Sequence, residues 1–219
     1  MKYLKGFIVI LAVSVIGYLA GTLTKRDGPE KPVVISPTVI SHGEADVGGA
    51  FELINTKGEI FTDQDLLGQV SLIYFGYTHC PDVCPLDMNR ISMALSDLEQ
   101  DFDFGGKLLP VFITVDPLRD PPEVVGQFLA RYHPAFVGLT GTQEQMGVAA
   151  RAYKVYYEEM LAREHSGEMD KEMADPVLFS HSAYIYLMDE NGRYITHFDE
   201  TYPASKLADE IRKHLDPAR

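Results

Sequence analysis

Val70-Ser-Leu-Ile-Tyr-Phe-Gly-Tyr77 runs directly into Thr78-His-Cys-Pro-Asp-Val-Cys-Pro85. The first eight residues form an unbroken apolar, β-rich run, the pattern of a strand buried on both faces. Beyond the second eight, Leu86, Ile91, Ala94, Leu95 and Leu98 recur at helical spacing, which predicts a helix over Pro85–Phe102. Leu108–Val115 (L-L-P-V-F-I-T-V) reads as a second buried strand. Pro121-Pro122 then opens a helix to about Arg131, proline being suited to a first helical turn. Buried strands alternating with helices predict an α/β domain with a largely covered sheet.

Outward from this centre, Phe136–Leu139 is a short strand. Thr142–Met160 reads as a helix opened by a Thr142/Gln145 capping box. Residues 161–180 break the rhythm. Ser182–Met188 and Arg193–Phe198 flank Asp189-Glu-Asn-Gly192, a hairpin signal, and Pro203–Leu215 makes a last amphipathic helix. Upstream, Phe51–Ile54, a turn at Asn55–Gly58, and Glu59–Phe61 predict a short N-terminal hairpin extension. The whole order is that of a thioredoxin-like domain, a central mixed sheet flanked by helices, spanning 48–219.

The N-terminus has different chemistry. Gly6–Leu23 carries no charge and is bounded by Lys2 and Lys5 before and Lys25 and Arg26 after. Its 18 residues nearly match a hydrocarbon core of about 30 Å. Tyr18-Leu-Ala20 is a poor cleavage site, so residues 1–27 read as a retained single transmembrane helix. Residues 28–47, rich in Pro and Gly, read as a linker. The expected location is the cytoplasmic (inner) membrane, with the soluble domain on the extracytoplasmic, periplasmic side.

The chain of 219 residues has a formal charge of −13, and the part beyond residue 27 carries −16. A nucleic-acid partner needs a basic face, so none is expected. Two cysteines exclude a multi-bridge scaffold and a four-cysteine zinc site.

Those two, Cys80 and Cys84, stand where a buried strand passes into a helix N-terminus, a position that favours thiolate over thiol. Three residues separate them, against two in thioredoxin-type oxidoreductases. If the segment is helical, positions i and i+4 share a face and both sulfurs turn to one point. Convergent thiolates suit Cu(I), with Zn(II) as a rival that needs further ligands. A structural disulfide is the simpler reading of an exported pair.

Phe75-Gly-Tyr-Thr-His-Cys-Pro-Asp-Val-Cys-Pro85 resembles the signature of the Sco/SenC family, copper-binding assembly factors for cytochrome c oxidase. Phe112-Ile-Thr-Val-Asp-Pro-Leu-Arg-Asp120, Gly138-Leu-Thr-Gly141, Ser180-His-Ser-Ala-Tyr-Ile-Tyr-Leu-Met-Asp189 and Gly192 extend the resemblance over about 45–215. It implies copper ligation by Cys80, Cys84 and His181, with one copper per chain held as Cu(I) or Cu(II). Ser180 replaces the Asp that usually precedes the histidine. Oxidation to a Cys80–Cys84 disulfide would release the metal.

The implied role is that of a membrane-anchored chaperone delivering copper to the binuclear copper centre of cytochrome c oxidase. Its expected partners are the copper-centre subunit of a terminal oxidase and an upstream copper donor. The alternative is an enzyme, a thiol–disulfide oxidoreductase reducing the target's copper-ligand cysteines, which needs Cys80 and Cys84 but not His181. Asp116, after the second buried strand, and His79, beside Cys80 but facing away in an extended chain, are expected to support the ligands. Arg119 and Asp120 read as a local ion pair. His42, His133, His165, His197 and His214 read as surface residues, and Met88 and Met93 as helix packing. The segment 161–179, with His165, Met169 and Met173, reads as a charged loop.

Overall fold

The computed structural model describes residues 46–101, 106–160 and 178–215. The anchor expected over 1–27, nearly all of the linker expected over 28–47, and His42, His165, Met169 and Met173 lie outside them. Among the described residues no helix is long and apolar enough to cross a membrane.

The element order is β1 (Glu52–Asn55), β2 (Ile60–Thr62), β3 (Val70–Gly76), α1 (Val83–Leu98), β4 (Leu108–Thr114), α2 (Pro122–Leu129), β5 (Val137–Thr140), α3 (Gln143–Ala152), β6 (Tyr157–Met160), β7 (Leu178–His181), β8 (Ile185–Met188), β9 (Tyr194–Phe198) and α4 (Ala204–Leu215). Seven strands form one mixed sheet in the order β2-β1-β5-β4-β3-β8-β9. β3, β4 and β5 are parallel, and β8 and β1 flank them antiparallel. The continuous apolar runs become these central strands, and every residue of β3 is buried.

Successive strand residues point to opposite faces, and Tyr74 and Phe75 show what covers each. The Tyr74 ring meets Phe112, which meets Phe128 of α2. Phe75 instead meets Tyr153, the residue that ends α3. Helices thus cover both faces, and α1 packs along α4. The α3 capping box forms as expected, Gln145 N–H donating to Thr142 Oγ1 at 3.2 Å and Thr142 N–H to Gln145 Oε1 at 2.9 Å.

The main departure lies after Ala152. The helix expected to reach Met160 ends there, because Lys154 takes a left-handed conformation (φ 56°) that stops it. The aromatic-rich chain beyond forms β6, which pairs with β7 in a separate two-stranded sheet, Tyr157 opposite His181. His181 therefore ends its own strand, ahead of the late hairpin that begins at Ile185.

Two smaller expectations also fail. His133 is buried at 7% exposure, with Nε2 3.1 Å from Glu99 Oε2, because the loop after α2 folds against α1. Met88 packs in the core, but Met93 is 66% exposed, since it lies off the apolar stripe of α1.

Candidate metal centre

Two segments 97 residues apart build the site. Cys84, in the first turn of α1, is fully buried, whereas Cys80 lies before the helix and keeps 8% exposure. The sulfurs do not converge through a shared helical face. The chain turns back at Tyr77, whose carbonyl accepts the Cys80 N–H at 3.3 Å. This sets Cys80 Sγ over the helix N-terminus, where it accepts the Cys84 N–H at 3.5 Å. The sulfur thus takes a bond that a capping side chain usually supplies, and Asp82 at the cap position makes no such bond.

Gly76, at the end of β3, leaves room for the second sulfur. A Cβ there would stand 3.2 Å from Cys84 Sγ, 2.9 Å from Tyr74 Cε1 and 3.1 Å from Phe112 Cε2.

His181 arrives from β7. Its Nδ1 lies 3.3 Å from the Ser182 carbonyl and its Nε2 3.3 Å from Cys84 Sγ. The carbonyl partner assigns the ring proton to Nδ1, so Nε2 presents its lone pair to the sulfurs. The rings of Tyr77 and Tyr74 stand edge-on to the imidazole at 5.8 and 6.4 Å. Both cysteines are free, and the three ligand atoms lie within 4.8 Å of one another.

The two thiols are electrostatically unequal. The Cys84 thiol, donating to Cys80, holds Cys80 down at about 3 against the opposing effect of burial. The backbone N–H groups of Asp82 and Cys84 add to that lowering. Cys84 is driven far above the usual thiol range by its hydrogen bond to Cys80, by burial and by the Cys80 charge. The net acidity of the domain does not prevent this. The local donors act at contact distance, while distant carboxylates are screened.

The side chains of His79 and Asp116 pair with Thr78, Asp120 and Arg119. His79 Nδ1 lies 3.3 Å from Asp120 Oδ1 and 3.0 Å from Thr78 Oγ1, with the side chain half-exposed. Asp116 is ion-paired with Arg119, so the expected Arg119–Asp120 pair is replaced by Arg119–Asp116. His79, Asp116 and Asp120 also come within 4.8 Å of one another. The guanidinium on Asp116 and the donors already bound to Asp120 make that cluster a poor cation site. Sequence reasoning missed Gly76, Tyr74 and Asp120. The glycine in the apolar run was the available signal for the first, since a glycine inside a strand marks a close approach.

The SCO1/SenC family model matches residues 40–216. The chain belongs to the SCO1/SenC family. A relative in Rickettsia prowazekii, the SCO2-like protein RP587, is 41% identical over 170 residues, covering 78% of this chain and 77% of its own. Among solved structures, copper-bound ScoI of Bradyrhizobium japonicum is similar at 32% identity and a TM-score of 0.65, over 77% of this chain and 99% of that one. Copper-bound yeast Sco1 is similar at 34% identity and a TM-score of 0.67, over 80% and 92%. These likenesses span the thioredoxin-like α/β domain that carries both cysteines and His181.

Proposed function

We propose that this chain is a copper chaperone for cytochrome c oxidase. It receives copper from an upstream donor and delivers it to the binuclear copper centre of the oxidase subunit. One copper per chain is held by Cys80, Cys84 and His181. The observation that carries the reading is the convergence of two free sulfurs and an imidazole lone pair within 4.8 Å, beside the rings of Tyr74 and Tyr77. Two soft thiolates satisfy Cu(I), and the imidazole completes a set that also accommodates Cu(II). Structural zinc favours four ligands, and this group offers three. The likeness to copper-bound ScoI and copper-bound yeast Sco1 supports the choice.

Residues 1–27 serve as a single membrane anchor and 28–47 as the linker. The 48–219 domain works on the periplasmic face of the inner membrane. Metal analysis of the reduced full-length chain tests the assignment. One copper per chain is expected, and tight binding is lost in Cys80→Ser or Cys84→Ser. Stoichiometric copper in the double variant refutes it.

The asymmetry of the cysteines favours a second reading on the same residues. Cys80, the more accessible sulfur, attacks a partner disulfide and expels one partner thiolate, forming a mixed disulfide. Cys84 then attacks Cys80 Sγ, its proton passing to the second partner thiolate as that leaves, and a Cys80–Cys84 disulfide remains. His181→Ala separates the two readings, because only copper binding uses the imidazole as a ligand.

A further inference from the structure

The turn between β4 and α2 touches both ligand-bearing segments. Asp120, fully buried, lies at its end, its N–H donating to the Asp116 carbonyl at 3.0 Å. The Asp120 carboxylate gathers donors from the residues just before Cys80. Oδ2 accepts the Thr78 N–H at 2.9 Å and the Thr114 hydroxyl at 2.6 Å. Oδ1 accepts the Thr78 hydroxyl at 2.5 Å and stands 3.3 Å from His79 Nδ1. The Thr140 hydroxyl fixes the backbone by donating to the Asp120 carbonyl at 2.8 Å.

One residue earlier in the same turn, the Arg119 guanidinium lies 5.8 Å from the centre of the Phe179 ring. Phe179, two residues before His181, donates its N–H to Tyr77 Oη at 3.2 Å and stacks edge-on against the Tyr77 ring. A buried carboxylate is costly unless hydrogen-bonded, and here donors from three residues converge on two oxygens. An amide in its place turns an NH2 toward those donors and cannot satisfy them.

We propose that Asp120 is the positioning residue for Cys80, acting through Thr78. Its carboxylate locks the Thr78–His79 segment against the β4–α2 turn, while Arg119 braces the strand that presents His181. The turn thereby sets the spacing between the thiolate loop and the histidine. This rests on the copper reading above, and the outcomes below keep the two apart.

The test uses the full-length chain in detergent with Cu(II) alone as the probe. It reads affinity, the thiolate-to-Cu(II) absorption band and the electron paramagnetic resonance spectrum. Asp120→Asn is expected to weaken Cu(II) by about 10–100-fold, the range for losing an orienting partner of a metal ligand, and to shift the band. Thr78→Val shifts both in the same direction and Thr78→Ser restores them. Asp120→Asn adds little on the Thr78→Val background. Leu53→Ala, a core truncation in β1, lowers the melting temperature and leaves the spectrum of the folded protein unmoved.

Wild-type spectra and affinity in folded Asp120→Asn and Thr78→Val overturn the proposal. So does a full, independent Asp120→Asn effect on the Thr78→Val background. If Asp120→Asn does not fold, Thr78→Val against Thr78→Ser decides alone. A wild-type chain without a thiolate–copper band overturns the copper reading, and this inference with it.

Discussion

Gly76 offers a test in which structure, stability and metal binding move together. Alanine at this position places its Cβ 2.9 Å from Tyr74 Cε1, 3.1 Å from Phe112 Cε2 and 3.2 Å from Cys84 Sγ. Ordinary contact begins near 3.4 Å, so all three neighbours must retreat by tenths of an ångström. The two rings and the sulfur are all fully buried, so none can yield without disturbing the packing around it. Overpacking of this kind costs about 1–3 kcal/mol. With such neighbours, the expected cost is about 2 kcal/mol, or a melting temperature lower by roughly 4–8 °C for a domain of this size. Displacing Cys84 Sγ from His181 Nε2 also weakens Cu(II) binding.

The control is Gly126→Ala, inside α2, where the new Cβ meets only Thr56 carbons at 3.8 Å. Removing a helix-interior glycine without a clash is worth about 0.5–1 kcal/mol, so this variant gains roughly 1–4 °C and binds copper like the parent. Thermal unfolding of the reduced, metal-free chain by circular dichroism, paired with Cu(II) titration, reads both effects. The packing argument fails if Gly76→Ala melts with the parent and binds Cu(II) unchanged.

His181→Ala is expected to weaken Cu(II) by more than the ~100-fold upper range for losing an outer partner, while Cu(I) changes about tenfold or less. Competition titrations showing equal losses for both ions exclude Nε2 as a ligand selective for Cu(II). Burial raises Tyr77 and Tyr186 to about 12, so the folded state holds these protons more tightly than the unfolded chain. The stabilisation is present below pH 10 and is lost as pH rises toward 12, on the order of 2 kcal/mol for Tyr186. Melting temperatures across that window check the sign, and Tyr186→Phe flattens the curve. The mature protein should retain the Gly6–Leu23 segment and fractionate with membranes. N-terminal sequencing that starts near Gly21 refutes the anchor. Finally, the chain oxidised at Cys80–Cys84 should bind no stoichiometric copper until a dithiol reductant restores two thiols, as followed by thiol titration alongside metal analysis.

The central sheet was legible because each of its buried parallel strands is a continuous apolar run with no competing period. The capping box of α3 and the Asp189–Gly192 turn were legible for a similar reason, since their chemistry is local. The small sheet that carries His181 was not. Its arms, β6 and β7, pair across residues 161–177, which carry no strand signal, and β6 follows a helical pattern without a break residue. The stop is the backbone conformation of Lys154, and lysine gives no warning of a left-handed turn. His181 was found through the family resemblance and not through its own pattern. Asp120 shows the general difficulty. Beside an arginine in sequence, a carboxylate reads as half of an ion pair. In the fold, Arg119 turns to Asp116 while Asp120 serves Thr78, 42 residues away.

One local device underlies both readings of the cysteine pair. The sulfur of Cys80 occupies the helix N-terminus and accepts the Cys84 N–H, so the residue that caps α1 is also the thiolate that both readings call on. Nothing in that arrangement distinguishes chaperone from reductase, because both need a stabilised thiolate beside a buried thiol. The distinction comes from across the fold. A reductase has no use for a third group whose lone pair is fixed toward the sulfurs by a carbonyl on its other nitrogen, and His181 is held in that way. A disulfide and a bound copper also compete for the same two sulfurs, so the oxidised pair cannot serve as a pre-organised empty site. On the copper reading, loading requires two electrons and one proton, which restore the Cys80 thiolate and the Cys84 thiol before copper arrives. On that reading, the fold couples thiol chemistry to metal occupancy at one site, and the strand that presents His181 turns that coupling toward copper.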